Sequence, residues 1–181
     1  FLNAIMDRIY WGTGQFVLGA TVGTAAVAVF AVAIYLKDMY YSFSTSISGV
    51  FLPKVTAMIT TGASEQTVSD LFIRIGRIQY IVLAYVLSAF ILLGRPFIAL
   101  WAGEGYDETY VIALMFFAST LIPMIQNLGI TILQARNEMK YRSILILAVS
   151  AASLAAAIPA ARQFGAFGVA AVTSVAVVLG H

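Results

Sequence analysis

Cysteine is absent from this chain, and histidine occurs once, as the final residue, His181. Disulfides and thiolate metal sites are therefore excluded. No set of side chains remains for a zinc site, a histidine-based triad or haem ligation, and no cofactor is expected. Charge is scarce as well, at 10% of residues against 61% hydrophobic. Ordinary globular domains carry roughly 25% charged residues, so a soluble domain of this size would lack a polar surface. The net charge of +2 is too small to suggest a nucleic-acid partner. No P-loop Lys-Ser/Thr is present, and Gly12-x-Gly14 has no preceding strand, so nucleotide-hydrolysing machinery is not expected.

Long uncharged stretches take the place of those charges. Residues 9–36, 78–94, 109–135 and 143–161 contain no Asp, Glu, Lys or Arg, and a further apolar run begins at Gln163. A bilayer core about 30 Å thick needs roughly 20 apolar helical residues to cross it. The expected fold class is thus an all-α polytopic membrane protein. The run 9–36 is long enough for one tilted helix, or for the end of one and the start of another broken near Gly19–Gly23. A helix starting near Thr24 would continue to about Leu52, placing Lys37-Asp38 inside the bilayer. Residues 53–67 read as a loop. Val68, Leu71, Phe72 and Ile75 recur at helical spacing opposite Asp70 and Arg74, which predicts a short interfacial helix over 68–77. Spans follow at 78–93, 109–133 and 143–161, with a turn at Arg162-Gln163 and a last span from about 164. The chain starts at Phe1 and stops in an apolar run, and reads as a fragment of a larger transporter.

Lys and Arg collect on cytoplasmic loops. One side holds Lys54, Arg74, Arg77, Arg136, Lys140 and Arg142, and the other holds Arg95 and Arg162, so the first side is expected to face the cytoplasm. Trp101 and Tyr106 then fall near the outer interface.

Charges within a span cost about 2.5–3.5 kcal/mol each on insertion scales, and usually face the bundle interior. The candidates are Asp7, Arg8, Lys37 and Asp38. Arg8 and Lys37 could line a cavity and attract an anionic head group, with Asp7 or Asp38 as charge partner or ion-coupling group. Alternatively, Asp7-Arg8 opens a helix in the head groups and Lys37 snorkels from a helix end. Neighbouring side chains point apart on a helix, so Asp7 is expected to pair with Lys37 rather than with Arg8. Pro123 would kink its span, as a hinge or as a tolerated bend. Gln126 and Asn127 offer interhelical hydrogen bonds or substrate contacts. The Ala/Ser-rich run 148–157 suits close helix packing.

Asp7-Arg8-Ile9-Tyr10-Trp11-Gly12-Thr13-Gly14-Gln15-Phe16-Val17-Leu18-Gly19, with the apolar helix that follows to Leu52-Pro53, resembles the start of a repeat in lipid-linked oligosaccharide (O-antigen type) flippases. So do Gly94-Arg95-Pro96-Phe97-Ile98-Ala99-Leu100-Trp101-Ala102-Gly103 and Ile132-Leu133-Gln134-Ala135-Arg136-Asn137. These proteins belong to the multidrug/oligosaccharidyl-lipid/polysaccharide exporter superfamily. The resemblance implies a twelve-helix, two-lobe transporter of the bacterial inner membrane. Residues 1–181 would be its C-terminal lobe, with six helices at about 1–19, 24–52, 78–93, 109–133, 143–161 and 164–181. The partners implied are an N-terminal lobe of the same protein, membrane lipids and a polyprenyl-pyrophosphate-linked oligosaccharide, flipped towards the outer leaflet. Arg8 and Lys37 are the positions that would meet its pyrophosphate. A cation-coupled multidrug exporter is the alternative within the superfamily. A membrane glycan polymerase or ligase would need a larger outer loop than 94–108, and a purely structural subunit is a further alternative.

Overall fold

A computed structural model describes residues 2–135 and 140–180, with side chains for 12–130, 132, 133 and 144–180. The described chain is helical throughout: α1 (Leu2–Thr21), α2 (Thr24–Thr60), α3 (Glu65–Trp101), α4 (Asp107–Ile125), α5 (Asn127–Ala135) and α6 (Lys140–Gly180). Four segments, Thr24–Thr60, Glu65–Trp101, Asp107–Ile125 and Ile144–Gly180, are long and apolar enough to cross a bilayer. Apolar side chains also cover the outside, among them Phe16, Tyr85, Leu92 and Leu100. Such a surface belongs in lipid, and it marks the chain as a membrane protein.

The long apolar run does divide in two. Gly23, at φ 124°, breaks it between α1 and α2. The two helices fold back on one another, with Gly14 against Phe30 and Gly19 against Val27. This antiparallel register places position 7 of α1 level with position 37 of α2.

Three boundaries differ from those expected. Helix α2 runs through Pro53 to Thr60, so the loop shrinks to 61–64. Proline removes one backbone bond, to the carbonyl four residues back. That carbonyl belongs to Gly49, on an exposed turn near the helix end, where head groups or water can take it up. The interfacial segment 68–77 and the span 78–93 are one helix, α3, which continues past Gly94-Arg95-Pro96 to Trp101. Both segments share the helical period, and no breaker separates them. Ser64 starts the helix, its hydroxyl accepting from the Thr67 N–H at 3.3 Å. The span expected at 109–133 is two helices, α4 and α5, parted at Gln126. The basic loop 134–142 lies in part outside the described residues, and Lys140 already belongs to α6.

Helix α6 contains a reversal. Gly165, at φ 59° and ψ −139°, interrupts it three residues beyond Arg162, not at Arg162-Gln163 as expected. The two arms lie side by side, since Gly180 approaches Val149 and Gly168 packs directly on the backbone of Ala160.

Helices α2 and α4 run parallel. Thr109 Oγ1 donates to the Val29 carbonyl at 3.2 Å, and Ser44 Oγ donates to the Met124 carbonyl at 2.6 Å, an offset of 80 residues in both cases. Helix α3 is antiparallel to α2, with the Tyr40 hydroxyl donating to the Leu83 carbonyl at 3.1 Å. The main core gathers around Phe30, Tyr40, Ile112, Phe116 and Phe117 where these helices meet, with Tyr40 stacked on Phe117 at 4.3 Å between ring centroids. A smaller cluster, Val55, Ile75 and Leu128, closes the other end.

Candidate functional site

The inward face of α2 carries a polar stripe. Lys37, Tyr40, Ser44 and Ser48 follow at intervals of three and four residues and are all buried. That spacing places them on one face of the helix. The stripe meets α4 and α3, so each polar atom must find a partner inside the protein.

Lys37 is the charged member. Its Nζ lies 2.5 Å from Asp38 Oδ1, with the lysine side chain 6% exposed and the aspartate 59% exposed. Asp38, one of the two carboxylates considered as its charge partner, is thus in contact with Lys37. Helix geometry does send their Cβ atoms in different directions, but the lysine side chain is long enough to reach back to the carboxylate at the edge of the interface. Asp7 and Arg8 have side chains outside the described residues; the backbone of α1 places position 7 at the level of Lys37.

The depth of Lys37 follows from α3. Arg77 and Arg95 bound the uncharged stretch 78–94, and their Cα atoms stand about 27 Å apart at 1.5 Å per residue. That distance matches a hydrocarbon core. The Tyr40–Leu83 bond sets the register, so Lys37, three residues earlier on the antiparallel α2, lies near the level of Val86. It falls between the two arginines, inside the apolar layer.

The second half of the stripe serves the break between α4 and α5. Pro123 has no N–H to donate, and the helix ends two residues later. Gln126 is a turn residue whose N–H still reaches the Ile122 carbonyl at 3.2 Å, and Gly129 N–H closes a tight turn on the Gln126 carbonyl at 2.8 Å. The break leaves carbonyl oxygens without helical donors near the level of Arg77, at the edge of the apolar layer, and Ser44 supplies a donor to one of them, at Met124. Gln79 of α3 ties the group together. Its Nε2 donates to Ser48 Oγ at 2.7 Å and approaches the Ser44 carbonyl and hydroxyl at 3.2 and 3.3 Å. Asn127 Nδ2 donates to Ser48 Oγ at 3.4 Å. Gln79 Oε1 is buried with no hydrogen-bond partner, so the network keeps one unused acceptor beside the break.

Two grooves flank the break between α3 and the α4–α5 junction. One, about 400 Å³, is lined by Glu65, Ser69, Pro123 and Gln126 among others. The second, about 510 Å³, is lined by Arg77, Tyr80, Ile125 and Gln126 among others. Phe72 and Gln126 border both. The structure thus brings Pro123, Gln126 and Asn127 together with Ser44, Ser48 and Gln79. It does not bring them to Lys37-Asp38, which lies two turns, about 10 Å, before Ser44 on α2, and neither residue lines either groove. Pro123 sits at the end of α4, not in mid-span, and the bend it was expected to produce is a full interruption at Gln126.

Ser44, Ser48 and Gln79 were missed in the sequence. Their signal is present but faint: Ser44 and Ser48 continue the spacing of Lys37 and Tyr40, and Gln79 is a lone amide at the head of an uncharged run.

A first test concerns the break. Ser44→Ala leaves the Met124 carbonyl without its buried donor. Lost interhelical hydrogen bonds in membrane proteins cost about 0.6 kcal/mol on average and up to about 1.7. Because Ser44 Oγ both donates to this buried carbonyl and lies 3.3 Å from Gln79 Nε2, the upper end is expected. Unfolding in detergent should show a destabilisation of about 1–2 kcal/mol, while Ser42→Ala, at an exposed position, should change little.

No family model matches this chain, and no curated protein and no solved structure shows detectable similarity to it.

Proposed function

We propose that the chain forms one lobe of a bacterial inner-membrane transporter that flips a polyprenyl-pyrophosphate-linked oligosaccharide for surface polysaccharide synthesis. The observation that carries this reading is Lys37, a cation buried at hydrocarbon depth on the inward face of α2. Burying a charge there is costly, and such residues usually mark a substrate or ion path. A cation suits a pyrophosphate head group, and its pairing with Asp38 gives it a counter-charge when no substrate is present. On the backbone of α1, position 7 lies level with Lys37, and the residues there are Asp7 and Arg8. The resemblance in residues 7–19, 94–103 and 132–137 supplies the substrate class.

The broken α4–α5 helix lies level with Arg77, at the edge of the apolar layer and about two turns from Lys37, where it would act as a hinge at the mouth of such a path. Discontinuous helices in transporters place backbone groups and hinges near the path. Gln126 and Asn127 are then contacts at a hinge, with Pro123 setting where it bends.

Complementation tests the proposal. The full-length gene should restore surface glycan in a strain lacking its lipid-linked oligosaccharide flippase. Normal membrane expression with no surface glycan would overturn the reading, and efflux of a cationic dye by the same cells would replace it with a multidrug exporter.

A further inference from the structure

Helix α3 turns one face outwards, and that face has the build of an amphiphile site. Arg77 is exposed and lines the larger groove with Phe72, Ile73, Tyr80, Ile125 and Gln126. One turn on come Tyr80 and Ile81, then Tyr85, Ser88 and Leu92, all exposed and repeating every three or four residues. These positions share one face of the helix. The serine within the strip is internally satisfied, since Ser88 Oγ donates to the Ala84 carbonyl at 2.8 Å. From Arg77 to Leu92 the strip runs about 22 Å. A leaflet of hydrocarbon is about 15 Å deep, half of a core of about 30 Å.

The charge pattern is one-sided. Asp70, the nearest acidic residue along α3, lies two turns before Arg77, about 10 Å away. The opposite wall contributes Ile125 and Gln126, neither charged. Arg77 has no acidic partner among the described residues. A guanidinium at the edge of the apolar layer, with an amide and a phenol beside it, matches the oxygens of a phosphodiester. No carboxylate lines that groove to receive the amine of a zwitterionic head group.

We propose that this groove holds one membrane phospholipid with an anionic head group, its phosphate on Arg77 and an acyl chain along Ile81, Tyr85 and Leu92. The site does not depend on the flippase proposal, because it lies on the outer face of α3 and not on the inward stripe of α2. The head group is an anionic one because the cation stands alone, and the ligand is a lipid because an apolar strip of leaflet length leads away from that cation.

The test uses the full chain in detergent, with native mass spectrometry against phosphatidylglycerol and phosphatidylcholine. Retention of phosphatidylglycerol should exceed that of phosphatidylcholine. It should fall about fivefold or more in Arg77→Gln, and less than about twofold in Arg74→Gln, an exposed arginine outside the groove. A Tyr85→Trp variant reports the chain directly: brominated-chain phosphatidylglycerol should quench the added fluorescence more than brominated phosphatidylcholine does. Equal losses in the two arginine variants would overturn the proposal in favour of diffuse surface charge. Equal retention or quenching by the two lipids would also overturn it. Displacement by millimolar glycerol 3-phosphate would reduce the site to a soluble-anion site and overturn the lipid assignment.

Discussion

Lys37→Ala is expected to lower surface-glycan complementation by the full-length protein at least about tenfold, with membrane expression unchanged. Lys37→Arg should retain a measurable part of the activity. The reason is the position of the ammonium. It is buried on the inward face of α2, between the levels of Arg77 and Arg95. No other cation follows it on α2 until Lys54, about 25 Å further along the helix. Losing one well-placed charge contact to a phosphate costs more than 1.4 kcal/mol, the equivalent of tenfold. Asp38 is 59% exposed and is not stranded by the change, so the protein should still fold. Asp38→Asn separates two roles for the pair. If the aspartate only counterbalances the lysine, its loss should be milder than the loss of Lys37. Equal complementation by wild type and Lys37→Ala at equal expression would remove Lys37 from the proposed transport path.

Gly168→Ala should be the most damaging small substitution in the chain. A Cβ at 168 would collide with the carbonyl oxygen of Ala160 and stand 2.9 Å from both the Ala160 carbonyl carbon and Phe164 Cβ. These are backbone or backbone-proximal atoms that cannot rotate away. Overpacking of this kind costs about 1–3 kcal/mol where side chains can yield. Here the two arms of α6 must part instead, and we expect a loss above about 3 kcal/mol. The check is the fraction of monodisperse protein on size exclusion, together with its thermal midpoint in detergent. Gly12→Ala is the control, because a Cβ there meets nothing within 4 Å. It should be neutral or slightly stabilising, since alanine is the better helix former.

Much of the architecture is legible in composition and spacing. The scarcity of charge assigns the chain to lipid. The pair of glycines at 19 and 23 anticipates a break, and Gly23 provides it. What fails is local punctuation. Pro53 and Pro96 suggest ends, yet both sit inside helices. In a membrane helix one missing bond is tolerated where neighbours or head groups can satisfy the freed carbonyl. Arg162-Gln163 suggests a turn by polarity, but polarity alone does not reverse a chain. The reversal needs a backbone conformation that glycine adopts at little cost, and Gly165 is the nearest residue able to take it.

The candidate site divides in the same way. Lys37 and Asp38 are conspicuous because charge is rare, and Gln126 and Asn127 because amides are rare within an uncharged run. Gln79, Ser44 and Ser48 are conspicuous only once α2, α3 and the α4–α5 break are side by side. Single hydroxyls are common in membrane helices, so their spacing along one chain does not reveal which of them meet.

The sequence by itself determined the solvent, the helical class and the presence of costly charges, because those follow from transfer free energies that each residue carries locally. Tertiary structure alone decided which charges pair, where the helices break and which polar atoms close the break. Those outcomes depend on register between helices, such as the offset of 80 residues between α2 and α4. No single stretch of chain contains that information.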